Sequence, residues 1–386
     1  MALRALARVN LAAIERNVVA LRGRLDGGAE LCAVVKADAS GHGAVPVARA
    51  ALSAGARMLA VATAGEAQEL RAAGLNAPVL IMGAVSAEEL PVALDAGAEV
   101  VAWDERFVAE LAAAAADPSG TTDAAAGAPI NVHIKLDSGM GRLGTRDTDE
   151  ALAVAEAVHR AAPRLRLAGV MTHLATADGD LDFAAAQLAV FAPFAAELQD
   201  RFGRLRIHAA NSAATLRVPG SHFDMVRCGI ALYGCDPMNE DPDSTGLEQA
   251  IELSTYVAAV KRAETGDSVG YSRRFIAQRP TWIATMPIGY ADGVRRGLTN
   301  NCDVLIAGRR YPLVGTVSMD NITADLGPEE PVVAAGATAI LIGRSGEDRQ
   351  TVEDLAQRLG TINHEVLCGI SARVPRRYHR DGTPVP

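Results

Sequence analysis

From about residue 30 to residue 233 the chain alternates short apolar runs with alanine-rich stretches of helical period, and this alternation constrains the fold more tightly than any other feature. The runs cover 31–36, 57–62, 78–82, 99–102, 130–136, 165–173, 205–210 and 224–232. Helix-period segments such as 66–73, 107–116 and 183–202 lie between them. A repeated strand–helix unit requires parallel strands with helices packed on them. Eight such runs are the strand count of a (β/α)8 barrel, the TIM barrel. A doubly wound open sheet is the rival, but it usually has fewer strands and opens on a glycine-rich turn, which this chain lacks. The expected class is therefore α/β, with a (β/α)8 barrel over 1–240 followed by a mainly β domain over 241–386. With 49% hydrophobic but only 4% aromatic residues, the core has to be built from aliphatic side chains.

The domain border rests on a change of texture. Segment 237–246, PMNEDPDSTG, is acidic and turn-forming. Beyond it, 250–260, 281–286, 303–306, 311–317 and 338–342 read as strands, with a turn at 307–310 and one helical stretch at 351–359. The first ten residues could pair with this second domain; the sequence does not decide it. Segment 117–128, DPSGTTDAAAGA, reads as a surface loop insertion. A net charge of −9 without a basic stripe argues against nucleic acid and against an anionic membrane surface as partners. Five scattered cysteines without a C-x-x-C pair fit neither a disulfide framework nor a zinc site, so no metal is expected and a reducing cytoplasm is. Residues 1–10, interrupted by Arg4 and Arg8, do not read as a signal peptide. No continuous run reaches the ~18 apolar residues that span a bilayer.

In parallel barrels the C-terminal strand ends form the active face, and chemically loaded residues fall at those ends. Lys36 closes the first run, where a desolvated ammonium would fall below its reference pKa of about 10.4 and could attack a carbonyl as a Schiff-base lysine. Lys135 to Arg142 reads KLDSGMGR after the fifth run. His173 closes the sixth, His208, Asn211 and Ser212 the seventh, and Arg227, Gly229 and Ile230 lie in the eighth. The last two βα loops of such barrels commonly bind phosphate through backbone amides and a hydroxyl, a role that suits Ser212, Gly229 and Ile230. Singly, each has a packing explanation: a helix cap for Ser212, close packing for Gly229, a satisfied core imidazole for His173. Together they describe an amine, a phosphate cradle, two imidazoles and two arginines in one cavity.

The segments VVKADASGHG, HIKLDSGMGRLG, MTHLATAD, HAANSAATLR, MVRCGIALYG, SVGYSRR, IGYADGVRR, VGTVSMDN and INHEVLCGISARVPR resemble alanine racemase in order and spacing over essentially the whole chain. The resemblance implies a homodimer with pyridoxal 5′-phosphate in each barrel mouth, capped by the partner's C-terminal domain. It implies that Lys36 holds the cofactor and acts as one base. Tyr271 of the partner subunit would be the second base, on the opposite face, with His173 assisting its phenol. Arg227 would face the cofactor's ring nitrogen and, being unable to give up a proton, would leave that nitrogen unprotonated. A weaker electron sink of this kind limits side reactions. His208 would orient Arg227, and Arg142 would contact the phenolic oxygen. Lys135 matches a lysine carbamylated in many relatives. Asn211, Ser212, Gly229 and Ile230 fall at the cofactor, Met319 and Asp320 at the substrate carboxylate, and Tyr290 at the entrance.

Two positions depart from the family, which has tyrosine where this chain has Ser40 and His364. By resemblance both touch the phosphate and flank the substrate side chain, so cofactor affinity falls and the pocket gains room. The expected activity is interconversion of L- and D-alanine, supplying D-alanine for peptidoglycan. Serine, or a broader range of amino acids, is the alternative that Ser40 and His364 raise. A non-catalytic pyridoxal-phosphate binder is the alternative of another class.

Overall fold

The computed structural model describes residues 4–116 and 129–385. The loop insertion expected at 117–128 lies outside the described residues. The described residues form two compact units, one of 15–39, 44–116 and 129–232, the other of 4–14, 40–43 and 233–385.

Strand β1 (Ala5–Asn10) belongs to the second unit. The first unit contains β2 (Glu30–Val34), β3 (Met58–Val61), β4 (Val79–Ile81), β5 (Glu99–Ala102), β6 (Ile130–Lys135), β7 (Leu165–Met171), β8 (Arg206–His208) and β9 (Met225–Cys228). They form one eight-stranded parallel sheet in the order β8-β7-β6-β5-β4-β3-β2-β9. The circle closes between β8 and β9 through loop bonds rather than a ladder: Asp224 N donates to Ile207 O (3.0 Å) and Arg227 N to Ala210 O (2.9 Å). This is the α/β barrel that the eight runs predict. Each strand of such a barrel is covered on both faces, which is why β3 and β5 are buried at all four positions. Cys32, Val34, Met58, Ala60, Leu80, Val101, Met171 and Met225 pack together as its core.

The helices start where side chains can receive their free N–H groups. Thr63 and Glu66 make a capping box on Ala64–Ala72, Asp104 caps Glu105–Ala114, and Asp180 caps Leu181–Phe202. That last helix is 22 residues long and apolar enough in composition to cross a membrane. It nevertheless buries Ala184, Gln187, Phe191, Phe194, Ala195 and Leu198 and carries Asp182, Glu197, Asp200 and Arg201. In this fold it is the barrel helix between β7 and β8.

The second unit is mainly β. Strand β1 lies between Ile251–Tyr256, antiparallel, and Arg376–Arg380, parallel, in an eight-stranded sheet. Ala259–Ala263, Thr281–Met286 and Ile322–Gly327 form a three-stranded antiparallel sheet. The strand expected at 311–317 is instead Arg309–Pro312, paired with Asp303–Ile306. Ala307 (φ 51°) and Gly308 (φ 77°) alone make the turn, so Arg309 and Arg310 are already in the strand. Positive φ at both central residues is the two-residue hairpin geometry that matches strand twist.

Candidate active site

Lys36 follows β2 by two residues and opens a single helical turn, Lys36–Gly41. The turn is left-handed: Ala37, Asp38, Ala39 and Ser40 all have φ between 52° and 53°. Four successive non-glycine residues in that region cost about 1–2 kcal/mol each relative to a right-handed turn, so other contacts must hold it. Glu66 supplies them, its Oε1 accepting from Ala37 N (2.6 Å) and its Oε2 from Ala62 N (2.7 Å). Asp38 Oδ1 accepts from Ala44 N (2.7 Å). Lys36 itself is exposed, so this chain's barrel does not give it the burial expected for it. Burial falls on Lys135 instead, which is 4% exposed at the end of β6. Desolvation, with the Arg227 and Arg142 charges, pulls its pKa down to about 7 against the opposing pull of Asp137.

The loop after β6 turns back on its strand, with Asp137 N donating to Thr145 O (2.8 Å). Asp137 organises it, accepting from Gly139 N, Gly141 N and Arg146 Nε at 3.0–3.2 Å. Gly144 (φ 106°) is required there, because a Cβ would lie 2.9 Å from Asp137 N. The loop presents Arg142 exposed.

Arg227, on the strand paired with β2, is the most constrained side chain of the site. Its Nη1 donates to His208 Nδ1 (2.9 Å). Its Nη2 faces Thr172 O (2.9 Å), Ala209 O (3.0 Å) and His173 Nδ1 (3.3 Å). Nε is buried with no partner among the described residues. Burial brings the Arg227 pKa to about 10, which keeps it cationic at neutral pH. Burial first and the Arg227 charge second hold His173 and His208 well below the usual imidazole range, so both are neutral. Gln187 donates to His173 O (3.1 Å) and accepts from Ala175 N (2.8 Å), pinning the loop after β7. The neighbouring thiols of Cys32 and Cys228 are pushed up by burial to about 12 and about 11, which disqualifies both as nucleophiles.

Asn211, rather than Ser212, caps the helix Ser212–Arg217, with Oδ1 accepting from Ala214 N (3.0 Å). Its Nδ2 donates to Leu174 O (3.1 Å), so both ends of its amide are occupied within the barrel and it shapes the loop. Ser212 Oγ is thereby free to accept from Gly229 N (3.0 Å) and Ala231 N (3.4 Å). A Cβ at Gly229 would make only ordinary contact with Val34, at 3.5 Å. Packing does not demand glycine there, whereas close approach of a ligand to the backbone would.

In the second unit, Tyr271 is 72% exposed at the tip between Ser268–Val269 and Phe275–Ile276. Its carbonyl accepts from Thr316 Oγ1 (2.7 Å). Tyr290 and Met319 are exposed as well, and Tyr290 N donates to Ser318 O (3.0 Å). The Asp320 carboxylate accepts from Arg373 (2.8 Å) and Arg4 (3.2 Å), and the Arg373 bond holds its pKa low. An ion-paired aspartate anchors the loop. His364 is exposed on Asn363–Cys368, and Ser40 lies in the left-handed turn.

Two residues that sequence reading passed over join the site from below. His133 contacts His208, and Glu99 contacts His133. His133 was recoverable from period: it shares one face of β6 with Lys135, two residues on. Glu99 was recoverable as the lone charge opening an otherwise apolar buried run.

The chain is similar to known proteins in both of its units. Residues 9–237 match the alanine racemase N-terminal domain and 250–378 the alanine racemase C-terminal domain. An alanine racemase of Frankia casuarinae is 40% identical over 97% of this chain and 96% of its own length. One from Geobacillus kaustophilus is 40% identical over 97% of this chain and 94% of its own. The solved alanine racemase of D-cycloserine-producing Streptomyces lavendulae superposes with a TM-score of 0.90 at 36% identity, covering 98% of each chain. That of Streptomyces coelicolor A3(2) gives 0.89 at 38% identity, covering 97% of each. With both domains matched and the fold shared throughout, the chain belongs to the alanine racemase family and is an isomerase of the racemase class.

Proposed function

We propose that the chain racemises alanine with pyridoxal 5′-phosphate as cofactor, in a homodimer whose barrel mouths are each completed by the partner's mainly β unit. The observation that carries this reading is Arg227: a buried guanidinium fixed by its neighbours, with one donor, Nε, left without a partner. The residues fit the group. An unprotonated ring nitrogen suits the Nε donor, a phosphate suits Ser212, Gly229 and Ile230 in the loops after β8 and β9, and an aldehyde suits the amine of Lys36. Arg142 is the cation for the phenolic oxygen.

When bound, pyridoxal phosphate supplies an electron sink that acidifies the hydrogen on the substrate's α-carbon. Racemisation then needs proton transfer on two opposite faces, so one base cannot suffice. Lys36 Nζ takes or returns the proton on one face and the partner subunit's Tyr271 phenol on the other. A phenol has a reference pKa of about 10 and needs help near neutrality; the neutral His173, whose Nδ1 accepts from Arg227, would donate its Nε2–H to the phenolic oxygen and stabilise the anion. Arg227 stays charged and keeps its protons. The Met319 backbone receives the substrate carboxylate, and Tyr290 lines the entrance. Lys135, with its pKa at about 7, has enough free amine to add carbon dioxide and release a proton, giving a carbamate anion opposite Arg142. An intact mass under gentle conditions should show the carbon dioxide; its absence would remove this element.

The product D-alanine fits supply of peptidoglycan synthesis in the cytoplasm. A second reading, activity on serine, is favoured by Ser40 and His364 standing where the family has tyrosine. Incubation with L-alanine and L-serine separately distinguishes the two. The cofactor reading is tested by borohydride reduction of protein incubated with pyridoxal phosphate, followed by peptide mapping. The sequence contains three lysines, Lys36, Lys135 and Lys261. Modification at Lys36 is the expected result, and modification elsewhere or nowhere overturns it.

A further inference from the structure

Four side chains run through the barrel in one hydrogen-bonded file. Glu99, the first residue of β5, has Oε2 2.7 Å from His133 Nε2. His133 Nδ1 lies 2.8 Å from His208 Nε2, and His208 Nδ1 lies 2.9 Å from Arg227 Nη1. The file thus begins at the N-terminal end of the barrel and finishes at the guanidinium in its mouth. All three of its other members are buried around His133.

The chemistry of the end groups sets every proton in it. Arginine donates and never accepts. His208 Nδ1 must therefore be the acceptor, and the neutral ring carries its proton on Nε2. That proton is donated to His133 Nδ1, so the His133 proton sits on Nε2 and is donated to Glu99. Any other tautomer, or a second proton on His208, sets two donors face to face inside the barrel, where an unmade hydrogen bond is expensive. Glu99 is itself oriented: Asn131 Nδ2 donates to its Oε1 (3.0 Å), and Arg166 Nε donates to Asn131 Oδ1 (2.7 Å). Burial pushes the carboxyl up, yet it lies below its usual range, with the hydrogen bonds from His133 and Asn131 among the effects that lower it. The backbone also makes room for the file. A Cβ at Gly169 would stand 2.4 Å from His133 Nδ1 and 2.6 Å from Arg206 O.

We propose that Glu99 and His133 are positioning residues for Arg227: acting through His208, they fix both imidazoles as neutral Nε2–H tautomers and hold the guanidinium with its Nε turned to the cofactor. This rests on the reading that Arg227 faces the cofactor's ring nitrogen. Residue 99 is then linked to residue 208, which it does not touch, through the protons of His133. With glutamine at 99, an amide N–H meets either Asn131 or His133. Arg166 fixes Asn131 with its Nδ2 toward residue 99, so the glutamine oxygen stays there and the N–H turns to His133; both rings must then change tautomer and a donor meets a donor at Arg227.

The test is a long-range 15N–1H spectrum of histidine-labelled holoenzyme, wild type, Glu99→Gln and Glu99→Asp, with assignment by His133 and His208 substitutions. The expected wild-type result is Nε2–H on both rings. Glu99→Gln should shift the His208 signals, move the visible absorption band of the bound cofactor, and lower kcat for alanine about tenfold, the weight of one buried hydrogen bond. Glu99→Asp, which keeps the acceptor, should restore the His208 signals. A doubly protonated or Nδ1–H His208 in the wild type overturns the proposal, even where Glu99→Gln fails to fold. So does a His208 spectrum unmoved by Glu99→Gln. Failure of the cofactor reading is separate: borohydride then marks no lysine, while the tautomers remain measurable.

Discussion

A lysine buried without a counter-ion depresses stability at every pH where the unfolded chain would hold its proton. Among the described residues Lys135 makes no ion pair, and its pKa stands at about 7 against about 10.4 for an unfolded chain. Between those values the unfolded chain binds more protons than the folded one, so stability rises with pH across the window and the full penalty applies below it. From about pH 7 to about pH 9 this one group contributes a rise of ~2 kcal/mol. In protein freed of carbon dioxide, Lys135→Met should abolish that part of the rise in urea unfolding; an undiminished rise would contradict the burial. The sequence pointed to Lys36 as the desolvated amine because it closes an apolar run. It missed that the strand ends two residues earlier, leaving Lys36 on an exposed turn. Lys135 ends its strand beneath the returning loop, where a Cβ at Gly144 would come within 3.2 Å of its Cγ.

At the scale of elements, the barrel strands were legible because burial on both faces writes them as continuous apolar runs. The left-handed turn at Lys36–Gly41 was not. Ala37, Ala39 and Ser40 carry no local signal for positive φ and Asp38 only a weak one; the bonds that impose it come from Glu66 and from Asp38 to Ala44. Glu66 also caps its own helix through Thr63. Glu66→Ala therefore removes a capping box and charge-assisted bonds to the turn together, an expected loss of about 2–3 kcal/mol in unfolding free energy. It should weaken cofactor binding as well, because the turn carries Lys36. Unchanged stability, measured by urea midpoint, would mean that the turn is held by something else. Gly41, at its end, accepts from Arg376 Nε (2.9 Å). A bond across more than three hundred residues has no sequence signature in a single chain.

At the scale of the molecule, the proposed active site draws on two copies of the chain. Lys36 belongs to one unit and Tyr271 to the other, and Tyr271 is largely exposed in the single chain. If each site takes its lysine from one subunit and its tyrosine from the partner, two inactive proteins can repair each other. Lys36→Ala and Tyr271→Phe, dissociated, mixed equally and reassociated, should recover about a quarter of wild-type activity, because half the dimers then carry one intact site of two. No recovery would place both bases in the same subunit. The domain texture was readable from composition, whereas this division of labour came from family resemblance, since a single sequence does not record which copy fills a site. The measurement that bears most directly on the whole account is chiral chromatography of L-alanine incubated with purified protein and pyridoxal phosphate, beside the Lys36→Ala protein. The account predicts D-alanine accumulating toward an equal mixture with the wild-type chain and almost none with the variant. Unchanged L-alanine with the wild type, or equal D-alanine from both proteins, would contradict it.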